Sequence, residues 1–145
     1  MNGTPELFRQ ARIFVLVGAV GFLVDGSLLV WLSQGLDLDL VRSRIISFST
    51  AVSVTWLLNR RLTFRHHASR RKLREWIRYF AVNGIGALLN LGVFLLLIQG
   101  YSVLRAYPLV PLAVAALLAL VFNFFASRSI AFRIRAPLTA PLKPR

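Results

Sequence analysis

Four long apolar stretches alternate with polar, mostly basic segments along this chain. They run roughly over residues 13–34, 43–60, 77–99 and 107–127. A membrane-spanning helix needs about 20 mostly apolar residues, so the pattern predicts four transmembrane helices. The second stretch fits least well, because Arg44 lies near its start and serine and threonine are frequent in it. The first stretch is too long for a secretory signal, and we expect it to be retained as a span.

The polar ends of the second and fourth stretches repeat one another. Residues 59–65, Asn-Arg-Arg-Leu-Thr-Phe-Arg, return 68 positions later as Ser-Arg-Ser-Ile-Ala-Phe-Arg at 127–133. The start of the first stretch, residues 12–25, is echoed by residues 78–90, one residue shorter. A repeat of this kind means that one supersecondary unit was used twice. The sequence therefore predicts a duplicated helical hairpin.

These elements predict an all-α integral membrane protein with four transmembrane helices, arranged as two parallel-repeat helical hairpins with both termini cytoplasmic. We expect one membrane domain, residues 1–135. Within it, repeat one covers about 9–65, repeat two covers about 76–133, and a basic cytoplasmic linker, 61–75, joins them. Residues 136–145 are rich in proline and are predicted to form a disordered tail.

Composition and charge placement support a membrane protein. Hydrophobic residues make up 57% of the chain, and its mean hydropathy is +0.65, which argues against a single soluble domain. The net charge is +13. If the chain begins in the cytoplasm, about 15 of the 18 lysines and arginines fall on that side, as is usual for loops at the inner face of a plasma membrane. The charge thus predicts a multi-pass protein of the inner (plasma) membrane and no nucleic-acid partner. The linker would attract anionic lipids.

Two of the apolar stretches carry small or polar residues at positions i, i+3 and i+7, which share one helix face. These are Gly18, Gly21 and Asp25 in the first stretch, and Asn83, Gly86 and Asn90 in the third. Small residues let helices approach closely, and amide side chains can hydrogen-bond across the contact. We expect both faces to be helix–helix interfaces.

Asp25 is the one acidic residue within the four apolar stretches. A carboxylate in the middle of a transmembrane helix costs about 2.5–3.5 kcal/mol on insertion scales. It can be tolerated if it is protonated, if it pairs with Arg44, or if it lines a wet cavity. A proton-titrating site and a structural pair are both open interpretations.

The repeated end motif places Arg60 and Arg128 at the carboxyl ends of two helices, where a cation also interacts favourably with the helix dipole. Such residues often act as snorkelling anchors at the membrane surface. Alternatively, they could clamp a phosphate group, because a guanidinium offers paired donors that match phosphate oxygens.

The sequence resembles the GtrA-like family of small four-span membrane proteins over about residues 8–134. The resemblance rests on Phe14 to Gly21 (Phe-Val-Leu-Val-Gly-Ala-Val-Gly), on Asn59 to Phe64, and on the set Asn123, Phe124, Ser127, Arg128 and Phe132. Two positions depart from the family pattern, which usually has asparagine where Thr55 and Asp25 stand here.

The resemblance implies translocation, like that of a flippase, of a polyprenyl-phosphate-linked sugar from the cytoplasmic to the outer leaflet for cell-surface polysaccharide synthesis. On this basis we expect the phosphate at Arg60 and Arg128. The sugar hydroxyls would be bound by Asn59, Ser127, Asn123, Asn90 and Asp25. Four helices enclose little space, so we expect a homodimer or an open, lipid-facing groove. We expect no cofactor, no metal and no ATPase activity, since nothing resembles an ATP-binding loop.

Two other functions fit the residues. The chain could be a scaffold that anchors or activates a membrane glycosyltransferase, which would contact the basic linker. It could also be a small proton-coupled exporter, in which Asp25 would be the main site. An enzyme is the least favoured class, because the sequence shows no nucleophile–base pair, metal-ligand cluster or paired carboxylates.

Overall fold

The computed structural model describes residues 3–106 and 109–133, and all the regular structure in these residues is helical. The elements, in chain order, are α1 (Gly3–Val30) with a π-helical turn (Trp31–Gly35), α2 (Leu40–Leu58) with a π-helical turn (Asn59–Thr63), a 3₁₀ turn (Arg65–His67), α3 (Lys72–Gly100), the short α4 (Val103–Ala106), and α5 (Leu109–Ala126) with a π-helical turn (Ser127–Ala131). The tail predicted for 136–145 lies outside the described residues.

A short acidic turn connects α1 to α2. Asp37 adopts a positive φ of 50°, a backbone conformation that aspartate tolerates better than most residues. Asp39 then caps α2, because its carboxylate accepts hydrogen bonds from the backbone N–H groups of Val41 and Arg42. These two residues end one helix and begin the next, which folds α2 back along α1.

The four long helices form two antiparallel hairpins. In the first, α1 packs along α2, and in the second, α3 packs along α5; the hairpins meet mainly through α2 and α3. The prediction of an all-α fold is confirmed over the described residues. The hairpin pairing agrees with the duplicated unit expected from the repeat.

Three of the helices are long and apolar enough to cross a membrane: Pro5–Gly35, Lys72–Gly100 and Val110–Ala131. Helix α2 is not among them. Its 19 residues would span about 28 Å, close to the thickness of a bilayer core. However, its arginines, serines and threonines lower its hydropathy. The four-span topology and the cytoplasmic position of the termini therefore stay predictions.

Polar side chains lie inside the bundle, whereas its outer surface is apolar. Only 17%, 11% and 28% of the residues in the apolar windows of the three candidate spans are buried, so most of their leucines and valines face outward. The buried polar residues include Ser43, Ser47, Thr55, Thr63 and Ser127. This inverted arrangement is expected where lipid, and not water, surrounds the helices.

An aromatic core lies at the end of the bundle that carries Arg60 and Arg128, which we call the basic end. Phe64 and Phe132 are 0% and 2% exposed. Phe14 packs on Phe64 with ring centroids 6.3 Å apart, and Tyr79 packs on Phe132 at 6.1 Å. Two equivalent aromatic pairs thus close the two hairpins.

These pairs correct the register of the repeat. The sequence repeat begins at residues 12 and 78, which aligns Phe14 with Phe80, but the structure makes Phe14 equivalent to Tyr79. The alignment was wrong by one residue at this point because it followed residue similarity, whereas burial follows the helix face. With the corrected register, Gln10 is equivalent to Glu75, and both are buried.

Candidate functional site

Two glycines admit a polar side chain from the neighbouring helix at equivalent places in the two hairpins. A Cβ atom at Gly21 would overlap the Thr55 side chain, and one at Gly86 would overlap the Asn123 amide. The predicted role of these glycines in helix packing is confirmed. Gly18 differs, since a Cβ there would meet no atom within 4 Å, so for Gly18 the packing prediction is wrong.

A cleft of about 220 Å³ lies between the four long helices. Each helix contributes polar or small residues to its wall, and aromatic and aliphatic side chains fill the rest. The polar and glycine lining consists of Gly18, Gly21 and Asp25 from α1, Thr55 from α2 with Asn59 from its π-helical turn, Tyr79 and Asn83 from α3, and Asn123 from α5. The sequence-predicted residues Asp25, Asn59 and Asn123 are therefore brought together in one place.

Asp25 forms an ion pair with Arg44 across the first hairpin, with 2.5 Å between Asp25 Oδ2 and Arg44 Nη1. The Asp25 side chain is 18% exposed, and that of Arg44 is 54% exposed. The second carboxylate oxygen, Oδ1, is buried and has no hydrogen-bond partner among the described residues. Of the interpretations offered for Asp25, the pair with Arg44 is present. The same side chain also lines the cleft.

Asn123, which also lines the cleft, has a second unpartnered oxygen. Its Oδ1 atom is buried without a hydrogen-bond partner within 3–106 and 109–133. A buried polar atom left without a partner costs about 1–3 kcal/mol, so two residues that line the cleft, Asp25 and Asn123, each carry an acceptor left unsatisfied by the described residues.

Asn59 is fixed by its neighbours. Its Nδ2 donates to the Tyr79 hydroxyl at 2.9 Å, and its Oδ1 accepts from the Thr63 hydroxyl at 2.6 Å. Asn59 is only 1% exposed. These bonds join the end of the first hairpin to α3, so Asn59 and Tyr79 form a hydrogen-bonded floor of the cleft.

Both repeated end motifs finish in a π-helical turn. The backbone N–H of Phe64 donates to the carbonyl of Asn59 at 2.8 Å, and that of Phe132 donates to the carbonyl of Ser127 at 2.9 Å. These wider turns bring the aromatic rings into the core while the adjacent arginines remain at the helix ends. Single π-helical turns occur frequently at functional sites.

Arg60 is held by Glu75. Arg60 Nη1 lies 2.6 Å from Glu75 Oε1, and Arg60 Nη2 donates to the carbonyl of Ser69 at 2.8 Å. Glu75 is fully buried and also accepts from Trp56 Nε1 and from the backbone N–H of Ser69. The charge of Arg60 is therefore neutralised within the protein.

Arg128 and Ser127 have no such partner. The Ser127 hydroxyl and the Nε atom of Arg128 are both buried and make no hydrogen bond with any described residue. Ser127 is equivalent to Asn59, but the residue equivalent to Tyr79 is Phe14, which has no hydroxyl to offer. The remaining predicted residue, Asn90, is equivalent to Asp25 but does not line the cleft.

Sequence reasoning missed Tyr79 and Glu75 in this region, and it assigned Asn83, which lines the cleft, only to a helix–helix interface. Tyr79 and Asn83 are polar side chains one turn apart within the third apolar stretch, and this spacing was the available signal. Glu75 is an acid in the strongly basic linker, and the contrast of charge could have identified it as the partner of an arginine.

The chain matches a known protein family. A family model described as GtrA/DPMS, transmembrane domain, matches residues 13–132. No curated protein matches the chain significantly. The matched region contains all eight of the polar and glycine residues that line the cleft, and both π-helical end motifs.

Proposed function

Because this chain belongs to the GtrA/DPMS transmembrane domain family, we propose that it moves a polyprenyl-phosphate-linked sugar from the cytoplasmic to the outer leaflet of the plasma membrane, for cell-surface polysaccharide synthesis. In this proposal all four long helices cross the bilayer and both termini are cytoplasmic. The chain binds and releases its substrate unchanged.

One observation carries the proposal. Asp25 and Asn123 line a single cleft inside a bundle whose outer surface is apolar, and each carries a buried oxygen atom that has no hydrogen-bond partner among the described residues. Sugar hydroxyls are hydrogen-bond donors, and they would supply what both oxygens lack. Polar groups inside a membrane bundle commonly mark the path of a substrate.

The position of the cleft suits a lipid-linked substrate. The polyprenyl tail already lies in the bilayer, so only the sugar and the phosphate need a polar route. The cleft is partly open, and it is bordered by Phe22 and Phe48 as well as by its polar residues. A sugar could therefore enter from the side while its tail remains in lipid.

The two π-helical end motifs fit the same model. They place arginines at the basic end, and the central cleft lies between that end and the ion pair of Asp25 and Arg44. A phosphate retained at the basic end would leave the sugar directed towards Asn59 and Asn123. The substrate would then contact the basic end and the end of the cleft near the ion pair of Asp25 and Arg44, one after the other.

The proposal is tested by reconstituting the purified chain in liposomes with a polyprenyl-phosphate hexose. Movement is followed by the exposure of the sugar to a membrane-impermeant oxidant. We expect faster exposure than in protein-free liposomes. If the folded chain gives no acceleration, flippase activity of the chain alone is wrong, and a scaffold for a membrane glycosyltransferase becomes the better model.

A further inference from the structure

The equivalent arginines of the two hairpins, Arg60 and Arg128, differ in their ion-pair partners. In the first, the carboxylate of Glu75 neutralises Arg60 at a distance of 2.6 Å. Arg60 and Glu75 are 16% and 0% exposed at their side chains, so this pair is enclosed. In the second hairpin, Arg128 makes no ion pair or hydrogen bond with any residue in the described ranges.

The corrected register explains this difference. Gly21 is equivalent to Gly86 and Phe14 to Tyr79, so one turn farther along the same helix faces Gln10 is equivalent to Glu75. Gln10 is 2% exposed. It has the same length and shape as glutamate but no charge. The position that neutralises Arg60 in one half therefore cannot neutralise Arg128 in the other.

The groups around Gln10 do not change this conclusion. Gln10 Nε2 donates to Glu6 at 2.9 Å, while Arg9 binds both oxygens of Glu6 through two hydrogen bonds. The charge of Glu6 is thus balanced by Arg9, its neighbour on the same helix. The Oε1 atom of Gln10 stays buried without a partner among the described residues.

We propose that Arg128 and Ser127 form a single phosphate-binding site at the basic end, and that Gln10 keeps this site available because it supplies no carboxylate. A guanidinium can donate two parallel hydrogen bonds to phosphate oxygens, and the Ser127 hydroxyl can donate a third. In the other hairpin, the carboxylate of Glu75 takes the place of the phosphate. The chain therefore has one phosphate-binding site, whereas the sequence repeat alone suggested two.

The identity of the ligand rests on the proposed function, in which the phosphate belongs to a polyprenyl lipid. A free phosphate ion shares the same chemistry. The experiment therefore measures binding of three probes to the purified full chain in detergent: polyprenyl phosphate without a sugar, uncharged polyprenol, and inorganic phosphate. We expect polyprenyl phosphate to bind at one equivalent per chain and at least ten times more tightly than polyprenol. Equal binding of inorganic phosphate at the same site would identify the free ion as the ligand.

Two variants test the residues independently. Arg128→Gln removes the cation, and Gln10→Glu installs a carboxylate of the same shape where Glu75 stands in the other hairpin. We expect each to weaken phosphate binding at least tenfold. Arg61→Gln is the matched control, because it removes one exposed positive charge at the same end, and it should bind within twofold of the native chain. Native affinity in either variant, shown to be folded, overturns the proposal, as does an equal loss in Arg61→Gln.

A gain of binding gives a further test. Glu75→Gln should release Arg60 and raise the stoichiometry from one phosphate to two, whereas a stoichiometry of one in the folded variant contradicts the equivalence of the two positions. Failure of this proposal is distinguishable from failure of the proposed function. If Arg128→Gln binds phosphate normally and transport is intact, only the site is wrong. If the native chain binds phosphate through Arg128 but moves no lipid, only the transport function is wrong.

Discussion

The ring centroids of Phe64 and Phe132, equivalent residues of the two hairpins, lie 4.5 Å apart. Each ring follows a π-helical turn and is buried. The two repeats therefore meet through the same residue of the same motif. This contact fixes the basic end, and through it the positions of Arg60, Arg128 and the floor of the cleft.

Replacing Phe132 with alanine should destabilise the bundle. Truncating a buried phenylalanine typically costs about 3–5 kcal/mol in soluble proteins; with lipid as the surroundings, we expect about 2 kcal/mol or more, chiefly from lost packing. Ile130→Ala is the control, because Ile130 is 52% exposed. Unfolding by denaturing detergent in micelles measures both free energies. Equal losses in the two variants would show that the contact with Phe64 is unimportant.

Gly86→Ala should also destabilise the chain, by about 1–3 kcal/mol, because its methyl group would overlap the amide of Asn123. Gly84→Ala in the same helix meets no atom within 4 Å and should be neutral or slightly stabilising, since glycine weakens a helix interior. The melting temperatures of the two variants are compared by thermal unfolding in the same detergent. The close approach of α3 and α5 at Gly86 would be contradicted if the two melting temperatures changed alike.

Arg60→Gln should be among the most destabilising single changes at the basic end. It would leave the fully buried carboxylate of Glu75 without its cation, and breaking a buried ion pair in this way costs about 3–5 kcal/mol. We expect the double variant Arg60→Gln, Glu75→Gln to recover a large part of this loss. A double-mutant cycle on the free energy of unfolding provides the test, and additivity of the two single losses would rule out the coupling.

Asp25 and Arg44, which form an ion pair, can each be replaced by the residue at the equivalent position of the second hairpin. Asn90 and Leu112 occupy the equivalent positions there. Arg44→Leu alone should cost about 1–3 kcal/mol, because the mostly buried Asp25 loses its partner. Adding Asp25→Asn should restore most of that stability. If the double variant is no more stable than Arg44→Leu, the carboxylate of Asp25 does not depend on this pair.

The helical content and the hairpin organisation could be predicted from the sequence because apolar length and an internal repeat are local features of a chain. The pair of Asp25 and Arg44 was also among the alternatives, since each is a charged residue in an apolar stretch and they have opposite signs. These predictions needed only the length and composition of segments and the signs of charges.

The cleft and the difference between the two arginines could not be predicted in this way. The cleft depends on which face each helix presents to the other three, and the sequence register placed Phe14 one residue away from its true equivalent. In the sequence, Glu75 is one acid in a basic linker. Gln10 lies before the first apolar stretch, so no sequence pattern marks it as a buried residue. Only the packed structure shows that these two residues occupy the same position.

The central claim is that a sugar passes through the cleft, and transport by Asn123→Ala beside Asn90→Ala tests it most directly. Both variants remove one amide from a membrane helix, but only Asn123 lines the cleft. In liposomes containing a polyprenyl-phosphate hexose, we predict that Asn123→Ala slows movement of the sugar about tenfold or more, corresponding to about 1.4 kcal/mol of lost transition-state stabilisation, while Asn90→Ala keeps the native rate. Native transport by folded Asn123→Ala, or an equal loss in both variants, would contradict the account.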